Sequence, residues 1–275
     1  MRFTYLMCLM ASLLSAMPVV AEERLQPLRT RGDLLGWEAI GRLDIQNGGY
    51  CSGALIASDQ VLTAAHCVFD DEGRPLPADQ MTFRAGYVDG DALAERRVSR
   101  VVVDARYEDA PGGKISSKMI RHDIALLRLS APISTSEANP FAIHVDPQEG
   151  EKVSILSYGR GRSEYISWQR DCAILERAWG LLTFDCNVTF GSSGAPVFVR
   201  YGNRVRILSL VSAGDDTTDG EKMSFGMELP TAVAELKRRM RVGDAPVTKV
   251  SNGAKRIQIG NRTGTGAKFV RAGGG

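Results

Sequence analysis

Short apolar or alternating stretches recur along most of the chain, and glycine, asparagine or aspartate often lies between them. The segments predicted as strands are 39–45, 50–57, 81–87, 95–103, 123–129, 152–158, 172–186, 196–201, 204–212 and 224–229. The segment 172–186 has a turn signal at Trp179-Gly180, and Gly202-Asn203 separates two further strands, as in β-hairpins. Many short strands with turns between them indicate an all-β barrel or sandwich.

One segment has helical periodicity instead. It begins at Pro230 and continues to Met240, and Val233, Leu236 and Met240 fall on one face. Basic residues at 237–239 suit the negative end of the helix dipole. The pattern predicts a C-terminal helix after the last strand.

The first 21 residues differ from the rest of the chain. Arg2 precedes an apolar or small-residue run that ends at Ala21. A charged start, an apolar run and small residues at the exit are typical of a signal peptide. We therefore expect export and removal of residues 1–21, with an uncleaved anchor helix as the alternative. Residues 22–35 are then a short N-terminal segment or propeptide.

The composition changes again after the predicted helix. Residues 241–275 contain eight glycines, seven lysines or arginines and one acidic residue, Asp244. This composition predicts a flexible, Gly-rich basic tail, with binding to an anionic cell surface or to nucleic acid as the alternative. The whole chain has a net charge of only +2, so no nucleic-acid partner is expected.

Export to an oxidising compartment would allow the cysteines to form disulfide bonds. Of the five cysteines, Cys8 lies in the predicted signal peptide. The remaining four allow three disulfide connectivities, and their order favours Cys51–Cys67 and Cys172–Cys186. No C-x-x-C pair occurs and the three histidines lack ligand spacing, so no metal site is expected.

Three segments carry residues suited to nucleophilic catalysis. The first ends in Thr-Ala-Ala-His66-Cys, the second begins with Asp123-Ile-Ala-Leu-Leu, and the third is Gly191-Ser-Ser193-Gly-Ala-Pro. Histidine, aspartate and serine follow in this order at separations of 57 and 70 residues. A serine hydroxyl is a poor nucleophile until a neighbouring imidazole removes its proton. The three segments together therefore indicate one catalytic set.

These motifs resemble those of the chymotrypsin/trypsin-like serine endopeptidases, over about residues 36–240. The third motif has Ser192 where animal members have aspartate and Ala195 where they have a second glycine, so it is closer to the bacterial branch that includes glutamyl endopeptidases. The resemblance implies an all-β fold of two antiparallel six-stranded β-barrels of the chymotrypsin-like type, at about 36–130 and 145–240, with the C-terminal helix.

The resemblance also assigns catalytic roles. Ser193 is the nucleophile, His66 is the general base, and Asp123 orients the imidazole and stabilises its charged form. The backbone N–H groups of Gly191 and Ser193 form the oxyanion hole. Ser192 is the alternative nucleophile, but the Gly-x-Ser-Gly pattern favours Ser193.

His122 is a second histidine beside the predicted aspartate. We expect it to point away from Asp123, because adjacent strand residues face opposite sides of a sheet. It is therefore not the predicted general base.

Substrate contacts follow from the same resemblance. Asn187 lies six residues before Ser193, where trypsins carry a carboxylate, and Gly214 and Gly226 leave room for the substrate backbone and an open pocket. Ser212 matches the strand that pairs with substrate and supports the aspartate; the alternative is an ordinary buried serine.

These residues predict an uncharged polar or apolar preference at the residue before the cleaved bond. No histidine follows His144, so none is available to bind an acidic side chain there. Asp215, Asp216 or Glu228 would reverse this prediction if one of them turned into the pocket and favoured basic residues.

Activation should not require a new N-terminal amine. Ser192 cannot form the ion pair that an aspartate makes with such an amine in animal relatives, and no Ile-Val-Gly-Gly start occurs near the expected boundary. Cleavage at Arg29 or Arg31 can still remove a short segment.

The sequence therefore predicts a secreted or periplasmic serine endopeptidase. Its partners are protein or peptide substrates, it needs no cofactor, it has no membrane span after signal removal, and it is a monomer. The alternative is a catalytically weak or inactive protease-like binding protein at the cell surface.

Overall fold

The computed structural model describes residues 25–46, 48–108, 116–216, 222–242 and 270–271. Its strands are β1 Gln26–Leu28, β2 Ile40–Ile45, β3 Gly49–Ala57, β4 Gln60–Thr63, β5 Met81–Ala85, β6 Ala94–Val103, β7 Ala125–Leu129, β8 Lys152–Gly159, β9 Arg162–Ala178, β10 Leu181–Phe184, β11 Pro196–Tyr201, β12 Arg204–Leu210, β13 Ala213–Asp216, β14 Lys222–Met227 and β15 Val270–Arg271. The α-helices are α1 Ser117–His122 and α2 Pro230–Val242, and 3-10 turns span Ala65–Val68 and Ala78–Gln80.

The predicted signal peptide lies outside the described residues, as does most of the predicted tail. Within the described ranges, no helix is long and apolar enough to cross a membrane.

The first half of the molecule forms a closed antiparallel barrel in the order β2-β3-β4-β7-β6-β5. Side chains alternate between its interior and exterior, as in β5, where Met81, Phe83 and Ala85 are buried and the residues between them are half-buried. Closure leaves no free edge, so the inward apolar side chains share one core. The first predicted barrel is confirmed, with six strands.

The second half forms one curved sheet in the order β12-β11-β8-β9-β10-β14-β13-β15, with β1 added against β9. It is a half-barrel and differs from the predicted closed six-stranded barrel. The seven strands from β12 to β13 form the continuous part of the sheet, and its first and last strands are consecutive in the chain. Strand β15 beside β13 and strand β1 beside β9 bring the total to nine. A separate apolar core fills its concave side and contains the pair Cys172 and Cys186.

Several elements are absent from the sequence prediction. The prediction omits β1, β4, α1, β13, β15 and the first half of β9. Strand β4 is only four residues long and α1 only six, too short for a periodic pattern to stand out. Strand β9 alternates irregularly because it changes partner, from β8 to β10, along its length. The predicted turn at Trp179-Gly180 is confirmed, since both residues adopt positive φ angles, 54° and 80°.

The predicted C-terminal helix is confirmed and ends at Val242 rather than at Met240. Val233, Leu236 and Met240 are buried against the first barrel, and the helix lies over β6 and β7. Arg239 donates a 2.6 Å hydrogen bond to the carbonyl of Val103 on β6. The helix from the second half of the chain therefore fastens the two halves together.

Candidate active site

The 3-10 turn after β4 brings His66 to a buried position beside Asp123. The imidazole Nδ1 lies 2.7 Å from Asp123 Oδ2, and the backbone N–H of His66 donates to Oδ1 at 2.8 Å. Both carboxylate oxygens are thus engaged by one residue, which fixes the ring relative to the carboxylate. His66 Nε2 is buried and has no hydrogen-bond partner within the described part of the chain. The histidine therefore presents one unpaired nitrogen on the side away from Asp123.

Asp123 lies where α1 ends and β7 approaches. It caps the C-terminus of α1, with its backbone N–H donating to Ile120 O at 3.2 Å. Ser212 Oγ donates to Asp123 Oδ2 at 2.5 Å, so the carboxylate is held from the second half of the molecule as well. The predicted support of the aspartate by Ser212 thus has a direct contact in the structure.

The loop at 189–194 carries Ser193 and, although it belongs to the second half of the molecule, contacts the first barrel. Ser193 is fully buried, and its carbonyl accepts a 2.9 Å hydrogen bond from the N–H of Ser52 on β3. Gly194 has a φ of +73°, and a Cβ there would lie 2.2 Å from Thr63 Oγ1. Only glycine allows the loop to approach the segment that leads into His66 so closely.

Gly191 occupies the turn predicted to form the oxyanion hole. Its φ is +89°, and a Cβ at this position would lie 2.4 Å from the ring of Tyr50 and 2.5 Å from Tyr158 O. A side chain would therefore be strained in conformation and would clash as well. The structure requires glycine here for both reasons.

Ser192 points away from this site, toward β8. Its Oγ lies 3.1 Å from Ser157 Oγ, which also accepts a 3.1 Å hydrogen bond from Arg162 Nη1. Burial lowers the pKa of Arg162 to about 10, so the guanidinium remains charged at neutral pH. The hydroxyl of Ser192 is therefore linked through Ser157 to the guanidinium of Arg162.

The register between β13 and β14 decides which residues face one another beside Ser212. Gly214 pairs with Ser224, and the N–H of Ser212, just before β13, donates to Phe225 O at 2.9 Å. Gly226 pairs with β10, and a Cβ there would lie 2.2 Å from Leu210 O. A side chain at Gly226 would therefore collide with the backbone at Leu210, and the role of Gly226 in the pocket stays a prediction.

Sequence reasoning missed Ser224. It is fully buried, and its Oγ has no hydrogen-bond partner among the described residues. Ser224 lies opposite Gly214 because of the register between β13 and β14, and no local sequence signal reveals that register.

Asn187, which is predicted to line the pocket, has a hydrogen-bond partner, and so does His144, while Glu228 has an ionic one. Asn187 is half-buried, and its N–H donates to Gln169 Oε1 at 2.8 Å. Glu228 forms a 2.8 Å ion pair with Arg177, so its carboxylate already has a cationic partner. His144 lies on the segment between the two halves, with Nε2 3.2 Å from Asp146 O.

His122 is not bonded to Asp123, as expected, but the reason given from sequence was wrong. It is the last residue of α1 rather than part of a strand, and its Nδ1 lies 3.4 Å from Asp104 Oδ2. Burial lowers the pKa of His122 despite the nearby carboxylate of Asp104. The orientation of the His122 side chain is therefore set by the geometry of α1.

Both expected cysteine pairs are bonded, Cys51 to Cys67 and Cys172 to Cys186. The first bond ties β3 to the turn that carries His66. The second lies in the core of the half-barrel, next to Asn187.

A closed barrel beside a half-barrel, with buried histidine and aspartate side chains in contact and a serine loop spanning both halves, defines a mostly β protein of the chymotrypsin-like fold. The family model described as a trypsin-like peptidase domain matches residues 51–205, more than half of the chain. The chain therefore belongs to the trypsin-like peptidase family.

Curated relatives match over parts of their length. The chain is 38% identical over 93 residues to "Modular serine protease" of Drosophila melanogaster, covering 31% of this chain and 14% of the relative. It is 33% identical over 112 residues to "Serine protease SP24D" of Anopheles gambiae, covering 40% and 37%. The matched region thus spans well under half of either relative.

The fold is also found among solved structures. A Glu endopeptidase in complex with MPD aligns with a TM-score of 0.59 at 19% sequence identity, over 75% of this chain and 91% of the other. At this identity the similarity concerns the fold.

Proposed function

We propose that this protein is an exported serine endopeptidase that cleaves peptide bonds through His66, Asp123 and Ser193. The observation that carries the proposal is the buried pair of His66 and Asp123, in which His66 engages both carboxylate oxygens and Ser212 Oγ also donates to Oδ2. A carboxylate held in this way selects the imidazole tautomer whose Nε2 can accept a proton. Family membership supports the same chemistry.

In this mechanism each group has one task. Ser193 Oγ attacks the substrate carbonyl as His66 Nε2 takes its proton, and an acyl-enzyme forms when His66 returns that proton to the leaving amine. Water then attacks the acyl-enzyme by the same steps. The N–H groups of Gly191 and Ser193 stabilise the negative oxygen in both halves of the reaction.

A neutral residue before the cleaved bond is the proposed preference. Asn187 supplies no charge at the predicted pocket floor, and Glu228 is neutralised by Arg177. The unpaired hydroxyl of Ser224 adds a polar group beside Gly214. Together these features favour an uncharged polar or apolar side chain.

Export is proposed on two grounds. The first 21 residues have the pattern of a signal peptide, and two disulfides are typical of an oxidising compartment such as the periplasm or the exterior. A monomer acting on proteins or peptides is the simplest form of this proposal.

The experiment that tests the activity is labelling with a fluorophosphonate probe. The parent chain and Ser99→Ala, which removes a hydroxyl on the barrel exterior, should both be labelled. Ser193→Ala should not be labelled. Labelling that persists in Ser193→Ala, or that never occurs in the exported parent, contradicts the assignment and favours a protease-like binding protein.

The preference is tested by digestion of a peptide library. We expect cleavage after uncharged residues, and Ser224→Ala should reduce cleavage after polar ones relative to apolar ones. Cleavage mainly after arginine or lysine, or mainly after glutamate, would show that the pocket floor is misassigned.

A further inference from the structure

Three consecutive peptide groups determine where the two proposed oxyanion donors point. The carbonyl of Phe190 accepts a 2.7 Å hydrogen bond from Arg160 N–H, and that of Ser192 accepts one of 2.9 Å from Ala195 N–H. In a trans peptide the N–H points opposite to the carbonyl, so these bonds turn the N–H groups of Gly191 and Ser193 the other way. The peptide between them, Gly191–Ser192, sets their relative orientation.

Glycine leaves that middle peptide conformationally free. Gly191 has no Cβ and can occupy many φ and ψ values, so its own backbone does not prevent rotation of the peptide that follows it. A fixed orientation therefore needs partners on both polar atoms of that peptide. Ser192 N–H donates to Thr189 O at 2.9 Å within the loop, and the Gly191 carbonyl requires a donor from elsewhere.

Ser52 on β3 supplies that donor from the first barrel, 139 residues away in sequence. Its Oγ donates to Gly191 O at 2.8 Å and accepts from Tyr158 N–H at 2.9 Å. Because the Tyr158 amide occupies a lone pair of the hydroxyl, the single hydroxyl proton is directed at Gly191. Ser52 is fully buried, so no solvent competes for this bond.

The backbone of Ser52 reinforces the contact. Its N–H donates to Ser193 O at 2.9 Å, and its carbonyl accepts from Thr63 Oγ1 at 2.8 Å. Ser52 also follows Cys51, which is bonded to Cys67 beside His66. One short stretch of β3 therefore holds both the histidine turn and the serine loop.

We infer that Ser52 is a positioning residue whose hydroxyl locks the Gly191–Ser192 peptide and so aims both oxyanion donors. The inference rests on the proposed function for its kinetic consequence, but the orientation of the peptide can be observed independently. Loss of one oxyanion donor lowers kcat about 100- to 1,000-fold. Misaiming donors that are still present should cost less, about 10- to 100-fold.

Kinetics test the inference with Ser52→Ala. We expect kcat to fall about 10- to 100-fold with KM changed less than about threefold, because the substrate pocket keeps its residues and the transition state loses its donors. Ser52→Thr, which keeps the hydroxyl, should recover most of the lost kcat. Ser99→Ala, which removes a hydroxyl bonded to carbonyls of β7, should leave kcat unchanged.

A second pair of variants controls for misfolding. Ser52→Thr and Ser52→Val have the same shape and differ only in the hydroxyl, so any steric disturbance is common to both. The amide resonance of 15N-labelled Gly191 should shift in the variants without a hydroxyl and remain near its parent position in Ser52→Thr. This measurement does not require catalysis.

The outcomes separate the two proposals. If the parent is not labelled by fluorophosphonate, the proposed function fails, and the Gly191 resonance alone decides the role of Ser52. If Ser193 is labelled but Ser52→Ala and Ser52→Val keep the parent kcat and the parent Gly191 resonance, the positioning role is overturned. A uniform loss of activity in Ser52→Thr and Ser52→Val also overturns it, because the hydroxyl then makes no difference.

Discussion

At the residue scale, Asp104 is a second buried carboxylate close to the proposed catalytic aspartate. It accepts hydrogen bonds from Arg106 N, Nε and Nη2 at 2.9, 3.0 and 2.8 Å, and His122 lies 3.4 Å away. Burial acts to raise the pKa of Asp104, but the hydrogen bonds from Arg106 outweigh burial and hold the pKa below its usual value. Asp104 directly follows β6, and its backbone N–H donates to the carbonyl of Ile124, the residue after Asp123, at 3.1 Å.

This lowered pKa predicts a pH-dependent contribution to stability. A carboxyl group with a depressed folded-state pKa stabilises the protein above its unfolded-state pKa of about 3.9, and the contribution is lost as pH falls through the folded-state value. Asp104→Asn should lower the free energy of unfolding at pH 7 by about 1–2 kcal/mol, less as pH drops below about 4. Urea unfolding at several pH values measures the difference. A difference that grows toward low pH contradicts the prediction.

At the element scale, the N-terminal segment is part of the fold. Strand β1 pairs with β9 through three residues, Leu28 is 1% exposed, and the Arg29 guanidinium lies 3.9 Å from the centre of the Tyr165 ring. Cleavage at Arg29 or Arg31 would therefore detach a packed strand. A segment held in this way contributes to stability whether or not it is later removed.

Chains beginning at residues 22, 30 and 32 separate stability from activation. The two shorter chains should unfold more easily by about 2 kcal/mol, because they lose the buried side chain of Leu28. All three should have similar kcat, because Ser192 is bonded within the protein through Ser157 and Arg162 and needs no new N-terminal amine. Activity restricted to one new N-terminus would refute this prediction.

At the scale of the whole molecule, the chain end returns to the proposed substrate strand. Val270 and Arg271 of β15 pair in parallel with Ala213 and Gly214 of β13. The resemblance noted above assigns this same edge to the substrate backbone. If substrate binds as proposed, we expect a chain segment on that edge to compete with an extended substrate for the same hydrogen-bonding groups.

Removal of the chain beyond Val242 should therefore favour extended substrates. We expect the truncated chain to have a lower KM for a peptide of about six or more residues, which is long enough to pair with the strand edge. The KM for a single-residue ester should change little, because such a substrate does not need the edge. Steady-state kinetics on both substrates measure the difference. Equal KM values for full-length and truncated chains would show that β15 does not compete.

The disulfides also act on the whole molecule. The exported chain should contain no free thiol, because both pairs are bonded and Cys8 lies in the predicted signal peptide. Alkylation without reduction should label nothing, and stoichiometric labelling of Cys172 or Cys186 contradicts the second bond. Loss of either bond should lower stability by about 2–5 kcal/mol. Only loss of Cys51–Cys67 should also reduce kcat strongly, since that bond holds the His66 turn.

Features that depend on short-range pattern and residue chemistry could be predicted from the amino-acid sequence. Alternating apolar segments and turn residues predicted most strands, the hairpin at Trp179-Gly180 and the start of the C-terminal helix. The order of the cysteines favoured the pairs that the structure bonds. The motifs at His66, Asp123 and Ser193 predicted a catalytic chemistry because each motif is contiguous in the chain.

Contacts between segments far apart in the chain became visible in the folded structure. The register of β14 against β13 placed Ser224 opposite Gly214, and the fold placed the carbonyl of Leu210 close to Gly226. The fold also brought the hydroxyl of Ser52 onto the carbonyl of Gly191. Strand register and cross-barrel contacts depend on how whole layers of side chains pack, and a local window of sequence contains no record of that packing.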